Sequence, residues 1–376
     1  MKRKSIIAAA ILFILIINKI SFSQEWESFP LPCKPIILKF INYKTGYVAG
    51  HSQSDNKIKL YKTINYGENW SGPIISVDYK WSGVTDYPSR PAFEVITQDI
   101  IIFYHGNTIH RTTNGGAIWT HSTISNLDEQ NGMQSMKFIN SNTGFITHTD
   151  KDHIQNGTKI YKTNDQGQSW FEVFTAYNVN PYIFFYLTDI QYIYPNVYFI
   201  GLHANNTIGN KYEKNYSVVY NENNSSFSPN LHGGGITDQY YTWKYMSILP
   251  GNQIKVTGFK NNSSNTFGVY CYENLNDPVG GGSLITQSGT EYSTGGFAFS
   301  DINYGYAYVS NQILKTTNSG LNWNAIYQVQ NNSWNHENNL QVFGDVVYCG
   351  NYASSLLYRK RININLSSKS DFELEN

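Results

Sequence analysis

The segment TINYGENW at residues 63 to 70 returns as TTNGGAIW at 112, TNDQGQSW at 163 and TTNSGLNW at 316. Aligned on their last residue, the four copies share Thr-x-Asn/Asp-x-Gly-x-x-Trp: Thr63, Asn65, Gly67 and Trp70; Thr112, Asn114, Gly116 and Trp119; Thr163, Asp165, Gly167 and Trp170; Thr316, Asn318, Gly320 and Trp323. Each residue type has a local task. Asn or Asp bonds backbone N–H groups further along a turn, Gly accepts positive φ, and Trp fills the space between neighbouring hairpins. Each copy is therefore expected to be a self-capping β-turn, a structural element and not a chemical one.

The pattern resembles the Asp-box, or BNR repeat, of β-propellers. The segments FINYKTGYVAG at 40, FINSNTGFITH at 138 and FSDINYGYAYV at 299 each place an aromatic, a turn ending in Gly and an alternating strand ahead of the box. That longer unit resembles the Ycf48 type of repeat, found in photosystem assembly factors and many exported bacterial proteins. The resemblance implies four-stranded blades, with the box joining strands three and four on the outer lower rim.

Spacing supplies the units that lack a full box. The box tryptophans at 70, 119 and 170 step by about 50 residues to VVYNENNSSF, where Glu222, Asn224 and Phe227 fill the Asn, Gly and Trp slots, and then to VYCYENLNDP. After Trp323 the segment NLQVFGDVVYCGNYASSLLYRKRINI offers three strand-like runs and no box. The N-terminal EWESFPLP supplies what is missing: Trp26 followed by a strand, matching WSGPIIS, WTHSTIS, WFEVFTA and WNAIYQV. The expectation is an all-β, seven-bladed β-propeller of four-stranded antiparallel blades over 24–366, its last blade closed by the N-terminal strand, followed by a disordered tail at 367–376. Ring closure removes exposed sheet edges. The 30 Tyr, 20 Phe and 8 Trp against only 14% charged residues suit such strands.

Residues 1–23 read as a signal peptide: Lys2, Arg3 and Lys4, the apolar run Ile6 to Ile17, then Ser21-Phe22-Ser23. The run falls short of the roughly 20 residues that span a bilayer. Export to the periplasm, the envelope or the outside follows, with no transmembrane span after cleavage. Removing Lys2, Arg3, Lys4 and Lys19 leaves 23 basic against 27 acidic residues. With no basic face, nucleic acid is not an expected partner. Cys33, Cys271 and Cys349 are an odd set in an exported chain, so at least one thiol stays free. Buried single thiols are the default reading, and a latch between Cys33 and Cys349 is left open.

In a propeller, ligands usually meet the face opposite the boxes, built from the links between blades. Two links are long, 71–93 and 226–245, and carry Asp78, Tyr79, Trp81, Asp86, Tyr87 and Arg90, then His232, Asp238, Tyr240, Tyr241 and Trp243. Flat aromatic faces beside polar groups suit sugar rings, although the same aromatics also serve to pack long loops onto the ring. His51, His105, His148 and His203 each end a second strand. Equivalent positions on adjacent blades lie too far apart for one metal, so these are expected to be surface histidines. Asp150, Asp152 and His153 lack a visible calcium ligand set.

Sialidases share the Asp-box, and their chemistry needs three converging arginines. Beyond the signal peptide this chain has four, and Arg111 and Arg359 occupy the strand slot held elsewhere by Lys62, Lys162 and Lys315, leaving Arg90 and Arg361. No catalytic residue, cofactor or metal is assigned. The leading expectation is an exported, monomeric, non-catalytic module that binds a protein or polysaccharide. The alternative is a glycoside hydrolase, with two carboxylates set across the channel at about 5 to 9.5 Å. The Asn-rich, Lys-over-Arg composition with a Ycf48-type propeller resembles exported proteins of Bacteroidetes, many of which end in a C-terminal sorting domain. The final SSKSDFELEN shows none.

Overall fold

Second strands of successive units, such as IIFYH, GYAYV and VVYCGN, are buried along their whole length. A strand buried on both faces needs a neighbouring layer on each side, and with only strands among the described elements that layer is another sheet. The computed structural model describes residues 25–79, 90–124, 135–149, 158–176, 183–207, 210–232, 241–249, 251–261, 267–272, 283–288, 294–309, 311–329 and 339–361.

The described chain begins with β1 (Glu27–Pro30). Blade I holds β2 (Lys34–Phe40), β3 (Gly46–Ser52), β4 (Lys57–Thr63) and β5 (Ile75–Asp78). Blade II holds β6 (Ala92–Val95), β7 (Ile101–His105), β8 (Thr108–Thr112) and β9 (Thr120–Thr123). Blade III holds β10 (Ser135–Phe138), β11 (Gly144–Thr149), β12 (Thr158–Thr163) and β13 (Phe171–Ala176). Blade IV holds β14 (Ile183–Ile193), β15 (Asn196–Thr207), β16 (Asn210–Asn221) and β17 (Ser226–His232). Blade V holds β18 (Tyr241–Leu249), β19 (Gln253–Asn261), β20 (Phe267–Tyr272) and β21 (Ser283–Ser288). Blade VI holds β22 (Thr294–Phe299), β23 (Gly305–Val309), β24 (Gln312–Thr316) and β25 (Asn324–Gln328). Blade VII holds β26 (Leu340–Phe343), β27 (Val346–Asn351) and β28 (Leu356–Arg361).

The fold is a seven-bladed β-propeller. All seven sheets have four antiparallel strands, and in the last the order β26-β27-β28-β1 places the N-terminal strand outermost. Glu27 pairs with Arg359 and Pro30 with Leu356, so the two ends of the chain knit into one blade. Arg359 locks the seam. Its guanidinium donates to Glu27 Oε2 at 2.7 and 2.9 Å, to Glu68 Oε1 at 3.1 Å and to the Tyr66 carbonyl at 3.1 Å, and it stacks on Phe29.

The described apolar core is divided among the interfaces. One cluster lies between each pair of adjacent blades, for example Tyr47, Ile58, Leu60, Phe93 and Phe103 between I and II, and Ile200, Met246, Ile254 and Val256 between IV and V. Trp70 packs at the seam between VII and I, Trp170 between II and III, and Trp323 between V and VI.

The repeated turns explain how hairpin and interface are joined. Thr63 Oγ1 accepts the Gly67 N–H at 3.1 Å and donates to Asn65 Oδ1 at 2.9 Å, which in turn accepts the Asn69 N–H at 3.1 Å. The same three bonds recur at Thr112/Asn114, Thr163/Asp165 and Thr316/Asn318. Gly67 has φ +82°, and a Cβ there would lie 2.2 Å from Leu357 Cδ2 of blade VII. At Gly167 the intruding atom is Ile102 Cδ1 of blade II, at 2.9 Å. Glycine is thus required both by backbone sign and by the close approach of the preceding blade.

Blade IV departs from the expected degenerate box. Its third and fourth strands meet in a short turn with Asn221 opposite Ser226, and the left-handed residue is Ser225, with φ 54°, and not Asn224. Asn224 Oδ1 instead accepts the Ser226 N–H at 3.1 Å. Phe227 does take the tryptophan's packing role, stacked on Phe174 of blade III with ring centroids 5.3 Å apart. The predicted turn at VYCYENLNDP lies largely outside the described residues.

Candidate functional site

The innermost strands β2, β6, β10, β14, β18, β22 and β26 together line an axial cavity of about 420 Å³. Its polar side chains mostly bridge adjacent blades. Lys39 of blade I reaches Glu94 of blade II at 2.5 Å. Ser135 Oγ of blade III donates to the Thr188 carbonyl of blade IV at 2.9 Å. Asp189 of blade IV accepts the Met246 N–H of blade V at Oδ2, 2.7 Å, and its own neighbour's Ile190 N–H at Oδ1, 2.8 Å. Ser247 Oγ of blade V accepts the Phe299 N–H of blade VI at 3.1 Å. Gln341 of blade VII binds both backbone groups of Phe40 in blade I, accepting the N–H at 2.6 Å and donating to the carbonyl at 2.8 Å.

Burial sets the electrostatics of this ring. It pushes the Asp189 carboxyl up to about 6, against the opposing pull of the Met246 and Ile190 N–H groups and the Lys137 ammonium. Burial likewise lowers Lys39, and Glu94 beside it acts the other way. Lys137 shares the channel and makes no hydrogen bond or ion pair among the described residues. Arg90, one of the sequence-predicted site residues, lines the same cavity ahead of β6.

The other predicted binding residues are less assembled. Tyr79 is half-buried, its ring 4.6 Å from that of His51 and its N–H 3.3 Å from the Asn56 carbonyl, and it packs on the apolar cluster between blades I and II. Asp78 is exposed and pairs with Lys57 at 3.3 Å. His232 ends β17 opposite Asn215, while Tyr241 and Trp243 sit in β18 opposite Lys260 and Gly258. Trp81, Asp86, Tyr87, Asp238 and Tyr240 lie outside the described residues, as do Asp150, Asp152 and His153.

Histidine placement needs correction. His105 and His148 are 4% and 0% exposed, not surface residues. His148 Nδ1 bonds Tyr104 Oη at 2.7 Å across the interface of blades II and III, a seam contact between apolar layers. His51 bonds Asn56 at 3.0 Å within its own blade. Among the described residues no three His, Cys, Asp or Glu side chains converge on a point that suits a metal. The strand-slot arginines are structural, with Arg111 Nε donating to the Gln166 carbonyl of blade III at 3.0 Å. Arg361 stacks over Tyr66 at 5.6 Å. The three cysteines are free and buried, Cys33 and Cys349 in separate interface clusters.

Two groupings escaped the sequence reading. The channel groups Lys39, Glu94 and Asp189 sit on first strands, where alternation marks an inward position without saying which blade it faces. His110 and His121 lie across the blade II hairpin with Nδ1 atoms 3.0 Å apart. Burial and the neighbouring His121 hold His110 down at about 4. Their register across the turn was the available signal.

No protein-family model and no curated protein matches the chain. Among solved structures it is similar to Ycf48 bound to a D1 peptide, at 16% identity and TM-score 0.55, over 90% of this chain and 97% of that one. It is also similar to an ulvan lyase bound to -[GlcA(1-4)Rha3S]-, at 10% identity and TM-score 0.60, over 90% and 94% of the two chains. A third similar structure is the α-L-arabinofuranosidase of Fusarium graminearum in complex with arabinobiose, at 10% identity and TM-score 0.51, over 89% and 98%. At such identities the likeness shows the propeller fold alone.

Proposed function

We propose that the chain is an exported, non-catalytic propeller of the Asp-box, Ycf48-like kind, which captures a protein or glycan partner on its link face at the mouth of the axial channel. The observation that carries this reading is the use of the channel's polar groups. Glu94 is ion-paired to Lys39, and both Asp189 oxygens accept backbone N–H groups. A catalytic carboxylate pair needs one group able to give or take a proton at the substrate and another able to attack or activate water. Two carboxylates engaged in joining blades are poorly placed for either task. One similar propeller has been solved with a peptide bound and another, a lyase, with a saccharide bound, which supports ligand capture on this fold. No helix among the described residues is long and apolar enough to cross a membrane.

A glycoside hydrolase is the second reading. It is favoured by one feature: Asp189 is half-buried, desolvation raises its carboxyl to about 6, in the direction a general acid needs, and it shares the channel with Glu94. A glycan array and a pull-down from envelope extract test the first reading, and chromogenic glycosides test the second. Silence in both binding assays, with turnover abolished by Asp189→Asn or Glu94→Gln, replaces the binding module by an enzyme. Export is tested separately, by N-terminal sequencing of the secreted or periplasmic product, which is expected to start at Gln24.

A further inference from the structure

We propose that His110 and His121 form a surface chelate for a divalent transition metal, with Cu²⁺ the ion held best. The two side chains project from directly paired positions of β8 and β9. Their Nδ1 atoms stand 3.0 Å apart. For metal–imidazole bonds of about 2.0–2.1 Å, that separation subtends an angle of about 95° at a shared metal. A near-right angle is the cis bite of square-planar and tetragonal coordination, the geometry of Cu²⁺ and Ni²⁺. Tetrahedral zinc asks for a wider one.

Three local features keep the pair in place. The register of β8 and β9 runs unbroken, whereas the corresponding hairpins of blades III, V and VI shift at a bulge. Phe103, paired with His110 on the next strand, sets its ring 6.1 Å from that imidazole and supports it from the inner side. Arg111, the nearest cation in sequence, is bonded to Gln166 of blade III, so its charge is directed to the other side of the sheet. His121 is exposed, which leaves the remaining coordination positions to water. In the present contact one Nδ1 carries a hydrogen shared with the other. Chelation requires both hydrogens on Nε2, a tautomer change that releases no net proton.

The test is a Cu²⁺ titration of the purified chain carrying no histidine tag, read by electron paramagnetic resonance and by competition with a chelator of known affinity. One copper with a two-imidazole nitrogen pattern is expected, with binding at least about tenfold weaker in both His110→Asn and His121→Asn. His51→Gln, in blade I, is expected to bind as the parent does. Affinity unchanged in both blade II variants, or lost in His51→Gln, overturns the assignment, as does the lack of a two-nitrogen signal. His121 lies on an exposed outer strand, so its variant keeps the question answerable if His110→Asn fails to fold, and the metal-free melting temperature checks that it does fold.

Discussion

Replacing Gly67 with Ala perturbs the point where the repeated turn meets the neighbouring blade. Gly67 has φ +82° and a new Cβ would lie 2.2 Å from Leu357 Cδ2. Leu357 is fully buried in the cluster between blades VII and I, so its side chain has little room to withdraw. Left-handed backbone costs a non-glycine residue about 1–2 kcal/mol. Overpacking adds about 1–3 kcal/mol, for a total of about 2–5 kcal/mol. Gly251 separates the two contributions, because its φ is +81° but nothing lies within 4 Å of its Cβ position. Gly251→Ala therefore carries only the backbone cost. Urea denaturation of both variants, with constant m, measures the difference directly. A second comparison uses Leu357→Ala, which alone opens a cavity but in combination with Gly67→Ala makes room for the new methyl, so the double variant should be more stable than the two separate losses add to. Equal destabilisation by Gly67→Ala and Gly251→Ala, together with additive behaviour of the pair, would refute the idea that the turn glycine is fixed by the adjacent blade.

Other consequences are open to direct measurement. Asp189 has a folded value of about 6 against an ordinary 3.8, so its native state binds the proton more tightly than the unfolded state. The stability of the parent relative to Asp189→Asn should then rise by about 2 kcal/mol as pH falls from 7 to 4, and a flat difference measured by denaturant titration would contradict it. Arg359→Ala removes the hydrogen bonds to Glu27, Glu68 and Tyr66. Because the two carboxylates are half in solvent, the expected loss is only about 2 kcal/mol, with Arg359→Lys recovering part of it in the same assay. Burial pushes the Cys33 thiol up to about 12 and raises Cys349 as well, so alkylation of the native chain at pH 8 should be slow. Three thiols should appear on unfolding without reductant, and a count of one would show that two of the cysteines pair.

Architecture was far more legible than the site. Four fixed-spacing copies of Thr, Asn or Asp, Gly and Trp identify a turn whose bonding depends only on near neighbours, so local sequence determines it. Trp26 disclosed the seam for the same reason, since it repeats a tryptophan-then-strand signature found elsewhere in the chain. Blade IV misled at Asn224 because the turn shortened and moved the left-handed position to Ser225. The histidines misled further. Strand-end position does not tell burial, and His148 is covered because blade II presents the Tyr104 hydroxyl to it. The channel pairings were illegible for the same reason: Lys39 with Glu94, and Asp189 with Met246, bring together residues 55 and 57 positions apart through the geometry of the ring. Only the three-dimensional arrangement of blades decides which first-strand side chain meets which backbone.

Ring closure by β1 underlies both the continuous channel and the face on which a partner is proposed to dock. Amide hydrogen exchange of a peptide spanning residues 26–32 tests it most directly. The pairing of Ser28 with Tyr358 and of Phe29 with Leu357, with the Leu31 N–H bonded to the Ser355 carbonyl at 2.8 Å, predicts protection that rises and falls with that of β28. Exchange at the rate of an unstructured segment, while β28 remains protected, contradicts a closed seven-bladed ring.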